Sequence, residues 1–246
     1  MAFNPSYEDA TALHHLRALH KKPFTTSIPV NHLRYLGDLK RSGFYPRVIY
    51  DVGACVLHWT QAARVLWPQA TIIAFDAFEK LRPIYEEAGV QHFIGVLSSA
   101  DGRRVNWYEN WMHPAGNSYY REVGCTMGDF FLPGSGIERT ARALDSVVQE
   151  MDLPLPDLIK LDVQGSEMDI LQGGQNTLAH ARHLIVEMQH ERYNEGAPLA
   201  HETLPWIMGL GWRHRGLFCN NGPDGDHGFE RRDEHLTTRP LSDTRS

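Results

Sequence analysis

Val48-Ile49-Tyr50-Asp51-Val52-Gly53-Ala54 has the pattern of a buried β-strand that ends at an acidic residue and a glycine. Its apolar and β-branched beginning is typical of a strand, and the glycine indicates a turn. Residues 56–67 then have the pattern of a helix that stops at Pro68, and residues 71–75 form a second strand that ends at Asp76. This order predicts a crossover connection between two parallel strands.

The alternation of strands and helices continues along most of the chain. Further strands are predicted at residues 90–97, 157–163 and 183–188, and further helices at residues 79–88, after Ser166, and at residues 199–208. Such alternation predicts an α/β fold, with a mostly parallel sheet that carries helices on both faces. The last two strand-like segments, 212–218 and 228–232, flank a Gly-, Asn- and Asp-rich stretch and predict an antiparallel C-terminal hairpin, which makes seven strands.

The chain divides into one large domain with additions. Residues 1–45 are predicted to form an N-terminal helical extension, in which residues 23–29 are extended or a turn, and residues 46–236 form the main domain. An insertion at about residues 106–140 breaks the alternation, and seven of the 25 residues from 107 to 131 are aromatic. Because so much aromatic surface is unfavourable in water, we expect this insertion to cover a substrate. Residues 237–246 are polar, and we expect a flexible tail.

Composition excludes several classes of function. The 246 residues carry a net charge of −6, which disfavours binding to nucleic acid or to anionic membranes. No apolar stretch approaches the roughly 20 residues that cross a bilayer. The three cysteines, Cys55, Cys125 and Cys219, show no CxxC spacing, so neither a disulfide framework nor a cysteine-rich zinc site is predicted. We expect a cytoplasmic protein, and the sequence does not decide its oligomeric state.

The ends of the first two strands predict a nucleoside-binding site. Asp51, Gly53 and Ala54 close the first strand, and Asp76 closes the second, where a carboxylate can accept both hydroxyls of a ribose. This arrangement suits both NAD and S-adenosylmethionine. Gly53 is, however, the only glycine between Asp51 and Gly89, so the glycine-rich pyrophosphate loop of dinucleotide-binding proteins is absent. A nucleoside ligand without a pyrophosphate is favoured.

Several motifs resemble those of the FkbM-type S-adenosylmethionine-dependent methyltransferases. The stretch from Val48 to Ala54 resembles the first motif of that family, and Ala74-Phe75-Asp76-Ala77 lies where the family has its ribose-binding acid. The most specific similarity is Asp157-Leu158-Ile159-Lys160-Leu161-Asp162-Val163-Gln164-Gly165-Ser166-Glu167, close to the family's Ile-Lys-Ile-Asp-Val-Gln-Gly-x-Glu. Shorter matches are Asn117-Ser118, Ala143-Leu144-Asp145-Ser146 and Gly196-Ala197-Pro198.

The resemblance implies a Rossmann-like class I methyltransferase with S-adenosyl-L-methionine as its cofactor. Besides Asp51, Gly53, Ala54 and Asp76, it places Ala77 and Ser98 in the cofactor site. A transferase of this kind that acts on a hydroxyl must also remove a proton. The implied acceptor is a hydroxyl of a small molecule, such as a sugar or a secondary metabolite.

Candidate catalytic residues lie at the ends of the fourth and fifth predicted strands. Asp162 ends the fourth, and Glu187 lies at the end of the fifth, shortly before His190. In the related catechol-type enzymes, acids at these positions hold Mg²⁺, so Asp162 and Glu187 are candidate metal ligands. The candidate bases are Asp162 itself, His190, and His113 in the aromatic insertion.

The loop after the first strand departs from the family pattern. Cys55 stands where the family has Asn, and Leu57 stands where it has a second Gly. We expect Leu57 to crowd the methionine end of the cofactor. This departure leaves open a non-catalytic binding module derived from a methyltransferase. A nicotinamide-dependent oxidoreductase on the same sheet is a further alternative, which the missing glycines and the C-terminal hairpin disfavour.

Overall fold

The computed structural model describes residues 5–123 and 130–232. Nine α-helices are described: α1 (Pro5–His20), α2 (Phe24–Ser27), α3 (Val30–Arg41), α4 (His58–Leu66), α5 (Arg82–Glu87), α6 (Leu144–Glu150), α7 (Glu167–Gln172), α8 (Gln175–Leu178) and α9 (Ala200–Gly209). Eleven strands accompany them within the described ranges: β1 (Val48–Val52), β2 (Thr71–Asp76), β3 (Gln91–Ile94), β4 (Leu97–Ser98), β5 (Arg104–Trp107), β6 (Ile137–Thr140), β7 (Arg142–Ala143), β8 (Leu158–Leu161), β9 (His183–Gln189), β10 (Trp212–Asn220) and β11 (Asp224–Arg231). Short 3₁₀ helices cover Glu79–Leu81 and Pro114–Gly116.

Seven strands form the main sheet, in the order β10-β11-β9-β8-β1-β2-β3. β1 is parallel to β2 on one side and to β8 on the other, and β8 is parallel to β9. β11 is antiparallel to both β9 and β10. The predicted α/β class, the mostly parallel sheet and the antiparallel C-terminal hairpin are therefore confirmed. From β1 the chain adds β2 and β3 on one side of the sheet, and it later adds β8 and β9 on the other side of β1. In sheets of this kind, ligands bind at the carboxyl ends of the two strands where the order changes sides, here β1 and β8.

Apolar side chains on alternate strand residues fill both faces of the sheet. On β1, Tyr50 packs into a cluster with Leu144, Ile170 and Ile207, while the neighbouring Ile49 packs into a different cluster with Leu36 of α3. Because successive strand residues point to opposite faces, one short strand anchors both layers. The sheet is thus buried on both sides, and its carboxyl edge remains as the place for a polar site.

Some local predictions were wrong. The stretch predicted to be extended or a turn contains the one-turn helix Phe24–Ser27. The predicted third strand is split: β3 ends at Ile94, the amide of Gly95 donates to the carbonyl of Asp76, and β4 pairs with β7 in a separate small sheet. The C-terminal hairpin is longer and its turn tighter than predicted, since only residues 221–223 separate β10 from β11.

The aromatic insertion is enclosed by a two-stranded antiparallel ribbon of β5 and β6, in which Trp107 pairs with Ile137. Tyr119 and Tyr120 both donate their hydroxyls to Asp169 on α7, at 2.8 and 2.9 Å. The insertion is therefore fastened to the body of the domain. Cys125 and the predicted tail lie outside the described residues. Among the helices that the structure describes, none is long and apolar enough to span a membrane.

Candidate active site

A cleft lies at the carboxyl ends of β1, β2, β8 and β9. Its volume is about 230 Å³, close to the lower end of the roughly 300–1,000 Å³ that is typical of ligand pockets. The sheet contributes its floor, and the insertion contributes an opposite wall that includes Trp107, Asn117 and Tyr119. The cleft therefore lies where a doubly wound sheet binds ligands, and the insertion covers part of it.

Only glycine fits at position 53, because two loops approach each other closely there. Its φ is +79°, and a Cβ at this position would lie 1.8 Å from the carbonyl oxygen of Asp162. The amides of Gly53 and Ala54 do not face the cleft, because both donate to the carbonyl oxygen of Phe75, at 2.9 and 3.1 Å. The glycine thus brings the end of β1 against the end of β8.

Asp76 lies at the end of β2 and lines the cleft. Its Oδ2 accepts from the amide of Cys55 at 2.8 Å, and its Oδ1 accepts from the amide of Phe78 at 2.9 Å. Burial raises the pKa of Asp76, and these backbone hydrogen bonds oppose that effect. Each carboxylate oxygen keeps a further lone pair, so the group is fixed in orientation and can still accept from a ligand.

Lys160 connects the loop after β1 with the end of β8. Its buried Nζ lies 3.1 Å from the carbonyl oxygen of Gly53, 3.2 Å from Oδ2 of Asp162 and 3.4 Å from Oδ1 of Asp51. Burial opposes its charge, but the two carboxylates raise the pKa of Lys160 above its ordinary value. Asp51 is itself fully buried, accepts from the hydroxyl of Thr60 and does not line the cleft.

Asp162 and Glu187 meet in the cleft and are bridged by an amide. Gln164 Nε2 donates to Asp162 Oδ1 at 3.2 Å and to Glu187 Oε2 at 2.7 Å. Burial and the negative charge of Asp162 raise the pKa of Glu187 well above its ordinary value. Burial would raise that of Asp162 as well, but Lys160 and a hydrogen bond from Glu187 outweigh it and lower the pKa. The surroundings therefore make Asp162 the more acidic member of the pair, and Glu187 the member that holds a proton more tightly.

A strained turn presents Gln164 to this pair. Gln164 has φ +55° and Gly165 has φ +98°, a conformation that residues other than glycine rarely adopt. Glu167 stabilises the turn because its Oε1 accepts from the amides of Val163 and Gly165, at 2.9 and 3.3 Å. Burial raises the pKa of Glu167 to about 7, against the effect of these amides.

Asn117 on the insertion has an unpartnered donor at the cleft. Its Oδ1 accepts from the amide of Asn110 at 2.7 Å, which fixes the orientation of the side chain. Its Nδ2 is buried and has no hydrogen-bond partner. A buried donor without a partner costs about 1–3 kcal/mol. Together with the oriented Asp76, this donor fits a polar, nucleoside-like ligand in the cleft, as S-adenosylmethionine requires.

The two histidines proposed as bases do not line the cleft. The Nε2 of His113 lies 3.0 Å from Oε2 of Glu122, and its ring stacks on Phe130. The Nε2 of His190 lies 3.2 Å from Nε2 of His227 on the hairpin. The structure therefore brings only the carboxylates, and neither histidine, to the point where the strands end.

Some of the predicted site residues line the cleft, and others do not. Gly53, Asp76, Ala77, Asp162 and Glu187 line the cleft. Ala54 is buried beside it, and the buried hydroxyl of Ser98 lies 2.9 Å from a guanidinium nitrogen of Arg103 instead of facing the cavity. The roles of Asn117 and Gln164 at the cleft could not be predicted from the sequence, although both lie in motifs that resemble those of the family, because a motif match does not show where a side chain points.

Leu57 does not crowd the cleft, contrary to the prediction. Its side chain is 1% exposed and packs in a cluster with Leu16, Phe78 and Leu81. Its backbone has φ +67° and that of Cys55 has φ +44°, so both residues adopt the left-handed conformation that Gly and Asn accommodate best. The departure at Leu57 thus affects the backbone conformation of the loop, while its side chain stays out of the cleft.

The sheet order, the antiparallel last strands and the cleft at the switch point have the arrangement of the class I methyltransferase fold, whose members use S-adenosylmethionine. The chain matches the Methyltransferase FkbM domain over residues 51–217, and it belongs to this family. No curated protein matches the sequence significantly.

Several solved structures are similar to this chain at low sequence identity. The cofactor-bound Rv0187 protein from MTB is 16% identical, with 94% of this chain and 91% of that chain covered and a TM-score of 0.51. Magnesium protoporphyrin IX methyltransferase from Synechocystis PCC 6803, solved with bound SAM, is 13% identical, with 94% and 99% covered and a TM-score of 0.47. Human N-acetylserotonin methyltransferase in complex with SAM is 13% identical, with a TM-score of 0.47; 91% of this chain aligns with only 56% of that chain.

Proposed function

We propose that this methyltransferase transfers the methyl group of S-adenosylmethionine to a hydroxyl of a small polar molecule, such as a sugar or a secondary metabolite. The observation that carries the proposal is Asp162 in the cleft, which Gln164 and Lys160 hold in position and whose pKa is lowered, chiefly by the charge of Lys160, against the effect of burial. A carboxylate held in this state is suited to orient a hydroxyl and to take its proton.

The β1–β2 side of the cleft would hold the cofactor. Asp76 would accept from the ribose hydroxyls, and the adjoining Ala77, Val96 and Trp107 offer apolar surface for the purine. Asn117 would donate to an acceptor atom of the bound molecule, since its Nδ2 has no protein partner. When bound, the cofactor supplies an electrophilic methyl group on a sulfonium.

The β8–β9 side would hold the acceptor. The acceptor hydroxyl would donate a hydrogen bond to Asp162. This hydrogen bond would direct the lone pairs of the hydroxyl oxygen toward the methyl group. As the acceptor oxygen takes the methyl group, the carbon–sulfur bond of the sulfonium would break and S-adenosylhomocysteine would leave, and the hydroxyl proton would become strongly acidic and pass to Asp162. A carboxylate of lowered pKa is therefore basic enough, and Lys160 and Gln164 keep it in position.

Magnesium at Asp162 and Glu187 is a weaker proposal than proton removal by the carboxylate. Among the described residues, these two acids have no third His, Cys, Asp or Glu close enough to complete a set of three ligands. Mg²⁺ would have to take its remaining ligands from water and the acceptor. Activity that survives EDTA would support the metal-free mechanism, and activity that EDTA abolishes and Mg²⁺ restores would support the metal.

The small volume of the cleft and the charge of −6 favour a small acceptor over a nucleic acid or a membrane. The test is to incubate the full chain with S-adenosylmethionine labelled in its methyl group and a small-molecule extract. A labelled product of low mass with the methyl group on oxygen would support the proposal. Label found on nitrogen, on carbon or on RNA would contradict it, as would binding of S-adenosylhomocysteine without any transfer.

A further inference from the structure

A buried cluster of metal-binding side chains lies away from the described cleft. His32 on α3, Cys219 on β10 and Asp226 on β11 are 5%, 3% and 2% exposed. One donor atom of each (an imidazole nitrogen, the sulfur and a carboxylate oxygen) lies within 4.8 Å of the other two. Within the parts of the chain that the structure describes, this is the one group of three such residues with this spacing. We propose that it binds one Zn²⁺ ion.

The fold delivers these side chains to one point. Cys219 and Asp226 are directly opposite each other in the β10–β11 pairing. The pairing is irregular between Leu217 and Cys219, and the alternation of β10 shifts there, so that Cys219 is buried whereas Leu217 is exposed. His32 occupies the core-facing side of α3 one turn before Leu36, where an apolar residue would be expected. Three polar groups thus replace core positions on three different elements.

The spacing of His32 and Asp226 suits two ligands of a tetrahedral ion. Ligands at about 2.0–2.1 Å from zinc lie roughly 3.3 Å from each other, and a sulfur ligand lies slightly farther away. Nε2 of His32 and Oδ2 of Asp226 are 2.9 Å apart, so they need to separate by only a few tenths of an ångström. Zinc accepts nitrogen, thiolate and carboxylate together, and hard ions such as Mg²⁺ do not favour sulfur.

Asn221 supports the cluster from the hairpin turn. Its Oδ1 accepts from Sγ of Cys219 at 3.3 Å, and its Nδ2 lies 3.5 Å from Oδ2 of Asp226. Groups of this kind orient metal ligands without touching the metal. On binding, the thiol of Cys219 would release its proton to solvent, and the His32–Asp226 hydrogen bond would be exchanged for two bonds to the ion.

Such an ion would tie the N-terminal part of the chain to the C-terminal hairpin. Asp226 also lies opposite Glu187 in the β9–β11 pairing, so the ion would lie one strand away from the cleft. Its role would be structural, because no member of the cluster lines the cleft.

Cobalt(II) in place of zinc gives the direct test on the full chain after treatment with a chelator. A thiolate bound to Co²⁺ absorbs in the near ultraviolet. We expect this absorption to saturate at one Co²⁺ per chain and to disappear when Zn²⁺ is added. It should be lost in Cys219→Ser and kept in Cys55→Ser, which alters a cysteine outside the cluster.

The loss of Zn²⁺ affinity on substitution distinguishes metal ligands from residues that only support them. The affinity should fall by more than about 100-fold in Cys219→Ser and His32→Ala, and by about 10-fold in Asn221→Ala. Circular dichroism shows whether each variant is folded, and the wild-type titration does not depend on any variant. Wild-type protein that gives no saturable absorption at one equivalent would overturn the proposal, as would absorption that persists in a folded Cys219→Ser.

Discussion

The two sides of the cleft are built by different means. On the β1–β2 side, Asp76 is held by amides of the backbone, and the loop that carries Gly53 is tied to the carbonyl of Phe75. On the β8–β9 side, Asp162 and Glu187 are held by other side chains, chiefly Gln164 and Lys160. The first side depends on the path of the main chain, and the second depends on charges that neighbouring residues set.

This difference separates what each side can do. A carboxylate fixed by two amides is a static acceptor, which suits the binding of a ligand that does not react at that point. A pair of carboxyl groups that differ in acidity can take up or release a proton at little cost in structure. Lys160 joins the two sides because its Nζ contacts both the Gly53 carbonyl and Asp162.

Gly53→Ala is the strongest test of the contact between the two sides. The added Cβ would lie 1.8 Å from the carbonyl oxygen of Asp162, so one loop must move. We expect the free energy of unfolding to fall by more than ~4 kcal/mol, as urea unfolding would measure. Gly102→Ala is the matched control, because Gly102 has φ +77° and nothing within 4 Å of its Cβ position. The control should lose only ~1–2 kcal/mol, and equal losses would show that φ alone makes Gly53 necessary.

Glu167→Gln tests the charge dependence of the β8–β9 side. The pKa of Glu167 in the folded state, about 7, lies above its ordinary value of 4.5. A raised folded-state pKa means that stability is fully present below pH ~4.5 and is lost as the pH rises through ~7, by up to roughly 3 kcal/mol. The amide oxygen of Gln can still accept from Val163 and Gly165, so the variant should be less sensitive to pH between 5 and 8. The exposed Glu191→Gln should behave like wild type, and an unchanged slope in Glu167→Gln would refute the assignment.

Asp76→Ala tests the binding role of the β1–β2 side. The buried hydroxyls of a bound nucleoside would lose a charged acceptor worth ~1.5–3 kcal/mol. We expect the affinity for S-adenosylhomocysteine to fall at least about tenfold by calorimetry. Asp38→Ala, on the exposed face of α3, is the control and should bind normally. Unchanged affinity in a folded Asp76→Ala would remove this residue from the cofactor site.

Cys55→Asn should give the smallest effect. Cys55 has φ +44°, and Asn tolerates this conformation better than most residues. The unfolding free energy of Cys55→Asn should exceed that of Cys55→Ser by up to ~1 kcal/mol, because Ser at this position does not favour the left-handed conformation. Equal stabilities of the two variants would show that the loop is not strained at this residue.

The sequence predicted the β1–β2 side better than the β8–β9 side. The first strand ends in Asp-x-Gly and the second ends in Asp76. Because the ends of neighbouring parallel strands meet at the same edge of the sheet, this local pattern was sufficient to predict the β1–β2 side of the cleft. Even there the sequence misjudged Leu57. The branched side chain of Leu57 was expected to crowd the cofactor. In the structure, the backbone at Leu57 is left-handed and its side chain packs in the core.

The pairing of carboxyl groups could not be predicted in full. That Asp162 and Glu187 end consecutive strands followed from the sequence, but the difference between their pKa values depends on burial and on Lys160. His190 follows β9 by a single residue, yet its ring turns to His227 on the hairpin, whose position depends on pairing far along the chain. His113 likewise depends on the path of the insertion, which carries no periodic pattern.

Asp162→Asn, compared with Asp76→Ala, tests most directly whether the two sides have separate roles. Asn keeps the shape of Asp162 and removes its charge. Methyl transfer to the acceptor found by labelling should fall roughly 100-fold or more, the usual scale for a lost acid–base group. The affinity for S-adenosylhomocysteine should stay within about twofold of wild type, whereas Asp76→Ala should lose that affinity. Near-normal methyl transfer by Asp162→Asn, or an equal loss of cofactor affinity in both variants, would contradict the division of the cleft.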